Sequence, residues 1–208
     1  VAGSISFAQA LPLVRQRAQA MQDAVPAGIG AMAAILGLDD DAARAACAAS
    51  ERAGEVVQAV NFNSPGQIVI AGHAEAVQRA IVAAKVNGAK RAVILPVSAP
   101  FHSSLMAPAA ARLREVLVAI DVRSPQIPVV HNIDAQTHAD PDAIRDSLVA
   151  QADHPVLWMD CIRAIAANGV THVYECGPGK VLAPLSRRIV SGLEGLALAD
   201  RAGIDQGL

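Results

Sequence analysis

Aromatic residues are nearly missing from this chain: one Trp, one Tyr and three Phe make up 2% of its 208 residues. A core with so few rings has to be built from Ala, Val, Leu and Ile, and hydrophobic residues at 53% supply enough of them. Cysteine is scarce as well. Cys47, Cys161 and Cys176 are odd in number, widely spaced and form no CxxC pair, which excludes a disulfide framework or a zinc site and fits a reducing cytoplasm. Positive charge is not in surplus, and a net charge of −2 excludes a broad nucleic-acid footprint. No apolar run approaches the roughly 18 residues of a membrane span. The longest, Ile29 to Leu38, is interrupted by Gly30 and Gly37. The six histidines show no HExxH or other ligand spacing, so no metal site is expected. The chain opens Val-Ala-Gly, with no initiator Met and no charged segment ahead of an apolar one. A signal peptide is therefore not expected, and the sequence reads as a protein entered partway through.

What is present is a succession of short periodic segments. Ser6 to about Ala24 has helical spacing, with Ala10, Leu13, Val14, Arg17, Met21 and Ala24 on one face. Pro12 falls early in that pattern and is expected to delay or kink the helix. A compact series follows: a strand at Gly30–Ile35, a helix at Asp39–Arg52 with an acidic first turn, strands at Val56–Phe62 and Gln67–Ala71 joined through "NSPG", a helix at Ala74–Val86 and a strand at Arg91–Val97. That βαββαβ order is the order of a ferredoxin-like unit. Beyond it the pattern predicts a helix near Leu105–Ala119, a strand at Pro128–Ile133, helices within Pro141–Gln151 and Val156–Asn168, a strand entering "CGPGK", and a helix near Val181–Val190. Strands and helices alternating in this way predict an α/β layer with parallel strands. The expected organisation is a small ferredoxin-like subdomain, residues 29–97, inserted into a larger α/β body formed by residues 1–28 and 98–208.

Two residues carry candidate chemistry. His102 stands in "PFHSS", where a strand runs through a small-residue loop into a helix. It is either a loop histidine bonded to backbone or a general base, since imidazole can take and return a proton near neutral pH. Ser98, Ser103 and Ser104 lie close in sequence, but none sits in a G-x-S-x-G elbow. Arg17 stands in the apolar stripe of the first helix, with Leu13, Val14, Ala20 and Met21 at the positions where an acidic partner would sit. It either snorkels to solvent or needs an anion from elsewhere, and a substrate carboxylate suits a guanidinium. "CGPGK" lacks the P-loop spacing, and Pro178 removes a backbone donor, so a tight strand-to-helix turn is the reading it supports. Lys90-Arg91 and Arg187-Arg188 are small basic clusters, either solvated surface or contacts for an acidic partner.

The stretches "MQDAVPAGIGAMAAILGL", "VNFNSPGQIVIAG", "GAKRAVILPVSAPFHSSLM" and "YECGPGKVL" run through nearly the whole chain in an order that resembles malonyl-CoA:acyl carrier protein transacylases of type II fatty acid synthesis. The acyltransferase domains of polyketide synthases are the nearest confusable group. The resemblance implies an α/β-hydrolase-like large subdomain carrying a ferredoxin-like small one. It implies malonyl transfer from coenzyme A to the phosphopantetheine thiol of acyl carrier protein through a malonyl-serine ester, in the cytoplasm, without a cofactor beyond the coenzyme A thioester substrate. "RQRAQAMQ" places the carboxylate-binding arginine at Arg17 and a pocket methionine at Met21, and "PFH" places the catalytic histidine at His102. "VAQADHP" places at Gln151 the residue whose backbone carbonyl orients that histidine, a role for which the Gln side chain is a weak test. Asn63 matches an asparagine-rich segment near the cleft. Phe101 departs from relatives with serine before the histidine, and in polyketide acyltransferases an aromatic there accompanies malonyl over methylmalonyl selection. The family's nucleophilic serine, in a G-H-S-L-G elbow, is expected roughly ten residues before Val1. The chain alone is then expected to be inactive. Lys90, Arg91, Arg187 and Arg188 are the expected carrier-protein contacts. The competing readings are a non-catalytic module of the same fold and a polyketide-type acyltransferase domain.

Overall fold

The computed structural model of the chain describes residues 1–207 and shows an α/β fold. Helix α1 spans Phe7–Asp23, and the Ser6 side chain caps it by accepting from the Gln9 N–H. Pro12 does not delay the helix, which is already under way at Phe7. Proline forgoes one helical hydrogen bond. The Ser6 cap and the burial of Leu13, Ala20 and Met21 hold the helix through it. The buried stripe differs from the one expected, because Val14 faces out and Ala20 takes a buried place beside Met21.

The next elements are β1 (Gly30–Leu36), α2 (Asp40–Ala48), β2 (Val57–Ser64), β3 (Gln67–His73), α3 (Ala74–Val86) and β4 (Arg91–Ile94). Asp39 caps α2 through the Ala42 N–H at 2.7 Å, and its first turn holds Asp40 and Asp41, as the helix dipole favours. The four strands form one sheet in the order β2-β3-β1-β4, each neighbouring pair antiparallel. This is the strand order of a ferredoxin-like βαββαβ unit.

The sheet is buried on both faces, and the alternation along each strand assigns the residues. Ala33, Ile35, Val57 and Ile70 pack with Val77, Ile81 and the alanines of α2 and α3. Met32, Val60, Val69 and Ala71 point the other way and meet Leu95 and Phe101. Small alanines where helix meets sheet let backbones approach closely, which is how a core nearly without rings reaches interior density. Phe62 is the exception, 2% exposed and packed among Ala43, Ala59, Ile68 and Met159.

A 3-10 turn at Ser104–Met106 leads into α4 (Ala107–Leu117), and α5 (Pro141–Ala150), α6 (Trp158–Ala167), β5 (His172–Cys176), α7 (Leu182–Ile189), β6 (Glu194–Leu198) and α8 (Arg201–Gly207) follow. The pair β5 and β6 is parallel. Pro128–Ile133 is not the strand its apolar run predicts: its pairing is a single bridge, Val130 with Thr137. The His131 N–H goes to the Gln136 carbonyl, and the Asn132 carbonyl accepts from the Leu157 N–H at 2.7 Å. Those backbone groups serve a compact turn and a crosslink. The crosslink continues to β2, because Val156 N–H donates to Val60 O and Phe62 N–H donates to Val156 O. Elements far apart in sequence are thereby stitched to the sheet.

Gly72 marks the tightest approach in that sheet, since a Cβ there would overlap the Val56 carbonyl. Gly72→Ala is expected to lower unfolding free energy by about 2 kcal/mol, seen as a lower urea midpoint at unchanged m-value.

Candidate active site

His102 sits in a tight turn between β4 and the 3-10 turn, with φ of 64°, a left-handed conformation uncommon for a residue with a side chain. Such strain persists only where the surroundings over-determine it. Here the neighbouring Ser103 is fully buried, and its Oγ donates to the Pro100 carbonyl at 2.7 Å. The Ser104 N–H donates to Gln58 Oε1 on β2, also at 2.7 Å. The loop is pinned at both ends, and the imidazole has one aim.

That aim is Gln151. His102 Nδ1 lies 2.8 Å from the Gln151 carbonyl oxygen. A carbonyl only accepts, so Nδ1 carries the proton and the neutral ring keeps a lone pair at Nε2. Gln151 is the C-cap of α5, where the last carbonyls of a helix lack intrahelical partners. Burial holds the His102 pKa below the ordinary histidine value. The Gln151 carbonyl pulls it up, the Arg17 charge pushes it down, and the His154 backbone adds a smaller upward pull. The result is an imidazole that is neutral near pH 7 and able to accept a proton.

Arg17 reaches the same residue by its side chain: Nη2 donates to Gln151 Oε1 at 3.0 Å. Burial lowers the Arg17 pKa, and a guanidinium remains charged at neutral pH. Its Nε is buried without a hydrogen-bond partner, and no carboxylate among the described residues forms an ion pair with it. A partly desolvated guanidinium without an ion-pair partner suits an anion.

Both side chains face one cavity of about 570 Å³. Met21, Asn63 and Phe101 line it too, so the structure brings these five candidates together. Gln151 stands behind His102 and Arg17. Sequence reasoning passed over Asn61, Met32 and Val69, which also line the cavity, and Asn132, whose Oδ1 accepts from Gln151 Nε2 at 3.1 Å. A polar pair, His131-Asn132, inside an apolar run was the available signal for Asn132. Among the described residues no serine hydroxyl hydrogen-bonds to His102. The Cys161 thiol, pushed by burial up to about 11, is no substitute nucleophile. No group of His, Cys, Asp and Glu among the described residues could hold a metal ion, and no described helix is long and apolar enough to cross a membrane.

Lys90, Arg91, Arg187 and Arg188 are all exposed. Lys90 and Arg188 border a second cavity, of about 600 Å³, where Arg188 Nη1 donates to Gln67 Oε1 at 2.9 Å.

Comparison with known proteins gives this architecture its relatives. The acyl transferase domain family matches residues 1–195. The malonyl CoA-acyl carrier protein transacylase of Salmonella typhimurium is 52% identical over 207 residues, which is 100% of this chain and 67% of that protein. The crystal structure of an acyl-carrier-protein S-malonyltransferase from Burkholderia pseudomallei superposes with a TM-score of 0.96 at 58% identity, over 99% of this chain and 67% of that one. A malonyl-transacylase in complex with a type II PKS acyl-carrier protein superposes with a TM-score of 0.97 at 47% identity, over 100% of this chain and 67% of that one. The chain spans about two thirds of the length of the relatives it matches.

The site has a pH signature. His102 and His131 both have pKa values lowered by burial, so the unfolded chain binds more protons than the folded one as pH falls. The contribution of these two groups to stability is therefore fully present above about pH 6.5 and is lost as pH drops through their folded values. The urea midpoint is expected to decline on acidification, and less so in His102→Gln. In an NMR titration the His102 midpoint should lie below that of an exposed histidine and rise in Arg17→Met.

Proposed function

The chain belongs to the acyl transferase domain family, and we propose that the protein of which it is the sequence transfers malonyl groups from coenzyme A to the phosphopantetheine thiol of acyl carrier protein. The observation that carries this reading is that a proton acceptor and a carboxylate-seeking cation share one cavity, both tied to Gln151. His102 is the general base, with the Gln151 carbonyl as its orienting partner. Arg17 grips the malonyl carboxylate, with Met21, Phe101 and Asn63 forming the walls of the acyl pocket. The nucleophilic serine comes from chain outside residues 1–208, so these residues alone do not form the acyl-enzyme.

The reaction runs in two halves. His102 Nε2 takes the serine proton as the oxygen attacks the thioester carbonyl, and backbone N–H groups stabilise the oxyanion. The C–S bond breaks, coenzyme A leaves as a thiol with the proton returned by His102, and a malonyl-serine ester remains. His102 then takes the proton of the carrier thiol as its sulfur attacks the ester carbonyl; the C–O bond to serine breaks, and His102 returns the proton to the departing serine oxygen. The α5 C-terminus behind Nδ1 favours the imidazolium that forms in each half. No cofactor is required beyond the coenzyme A thioester, which is substrate. The free cysteines support a cytoplasmic setting. The sheet unit at 29–97 is a small subdomain set into the acyltransferase body formed by 1–28 and 98–208. The carrier protein, an acidic partner, meets the exposed Lys90, Arg91, Arg187 and Arg188.

In the full-length protein, Arg17→Ala is expected to lower kcat/KM for malonyl-CoA by about 100-fold while changing transfer of an uncharged acyl group little, since only the carboxylate loses a partner. Equal losses for both would remove the carboxylate role. His102→Ala should slow formation of the acyl-enzyme by about 10²–10⁴-fold with the fold intact by circular dichroism. Unimpaired acylation would remove His102 as the base.

A further inference from the structure

The bond that orients His102 is made by the backbone of Gln151, so it leaves the side chain with no duty toward the base. That side chain is nonetheless fixed at both ends. Its Oε1 accepts from Arg17 Nη2 at 3.0 Å, and its Nε2 donates to Asn132 Oδ1 at 3.1 Å. The Asn132 backbone is anchored as well, because its main-chain carbonyl accepts from the Leu157 N–H at 2.7 Å. We infer that the Gln151 side-chain amide, oriented by Asn132, is a positioning residue that holds the Arg17 guanidinium for the substrate carboxylate, and so sets the preference for acyl groups bearing one. The inference rests on the malonyl-transfer reading above.

The chemistry of the partners gives the arrangement its direction. A guanidinium has donors only, so it needs the oxygen end of the amide. A flipped amide would set N–H against N–H. Asn132 Oδ1 accepts from the other end and makes the productive orientation the satisfied one. A neutral amide also differs from a carboxylate in a way that matters here. It takes one donor of Arg17 and leaves the positive charge uncompensated, with Nε buried and unpartnered beside it. A glutamate at position 151 would occupy the same space, keep the backbone carbonyl for His102 and neutralise the cation before the substrate arrives. Gln151 thus holds the clamp without filling it.

The test uses the full-length protein with malonyl-CoA and acetyl-CoA as paired substrates. Gln151→Glu is expected to raise KM for malonyl-CoA by about 100-fold, as charge neutralisation and carboxylate repulsion act together, and to lower the ratio of kcat/KM for malonyl-CoA to that for acetyl-CoA by a similar factor. Gln151→Met, which removes the hold without adding charge, should raise the malonyl KM by about tenfold and lower the malonyl-to-acetyl ratio of kcat/KM by a similar factor. Asn132→Leu should behave like Gln151→Met, and Asn132→Asp, which still accepts from Nε2, should keep malonyl KM near that of the parent. If Gln151→Glu does not fold, the Asn132 pair carries the same comparison. Equal losses for both thioesters, or a malonyl KM unmoved by Gln151→Glu, would overturn the inference. Arg17→Ala, measured alongside, separates the two failures. A selective loss in Arg17→Ala without one in Gln151→Glu overturns the positioning role alone, whereas no selective loss in Arg17→Ala overturns the carboxylate clamp and this inference with it.

Discussion

One carbonyl at the end of one helix organises this site. Gln151 caps α5, and the free carbonyl that every helix C-terminus leaves behind is there taken by His102 Nδ1 at 2.8 Å. The same residue reaches Arg17 with its side chain. Three parts of the chain, α1, the turn after β4 and the end of α5, therefore meet at one amino acid. If α5 ended a residue earlier, a different carbonyl would face the histidine and the amide would point away from the guanidinium. The electrostatics follow from the placement. The helix terminus draws the imidazole toward its charged form, while burial and Arg17 oppose it, and the balance leaves His102 neutral at rest.

The fold delivers those parts by means suited to a chain nearly without rings. The four-stranded sheet is covered by alanine-rich helices on one face, and on the other it offers Met32 and Val69 to the cavity with Phe101 packed nearby. Its strand β2 is the bridge to the rest. Gln58 fixes the loop that follows His102, and Val60 and Phe62 pair with Val156 in the segment beside Gln151. The sheet thus acts on the chemistry through the Gln58 side chain and backbone bonds at its edge, and a close contact such as that of Gly72 with Val56 lies on the same strand pair.

Much of this was legible in the sequence, and the parts that were not have physical reasons. The boundaries of α3 follow directly from its periodicity, and the βαββαβ order follows from the spacing of apolar runs and turn residues. Arg17 was marked by its lack of a local acid, and His102 by its place at a strand-to-helix join. The positions of Met21, Phe101 and Asn63 came from resemblance. Pro128–Ile133 departs from its strand expectation because apolar residues in sequence do not reveal whether their backbone groups will find a strand partner, and here they serve a turn and the Leu157 crosslink. An apolar strand pattern gives no reason to single out Asn132. The Gln151 side chain was discounted because its backbone role accounted for it, and only the three-dimensional contact with Arg17 gives the amide a purpose.

In the reading proposed above, these residues supply the base and the carboxylate clamp of a malonyl transfer whose nucleophile lies outside residues 1–208. The most direct test is to incubate the full-length protein with malonyl-CoA, digest it, and locate the malonyl ester by mass spectrometry. One hydroxylamine-labile adduct is expected, on a serine outside residues 1–208. An adduct on Ser98, Ser103 or Ser104 would contradict it, and His102 would then be serving a nucleophile within its own loop.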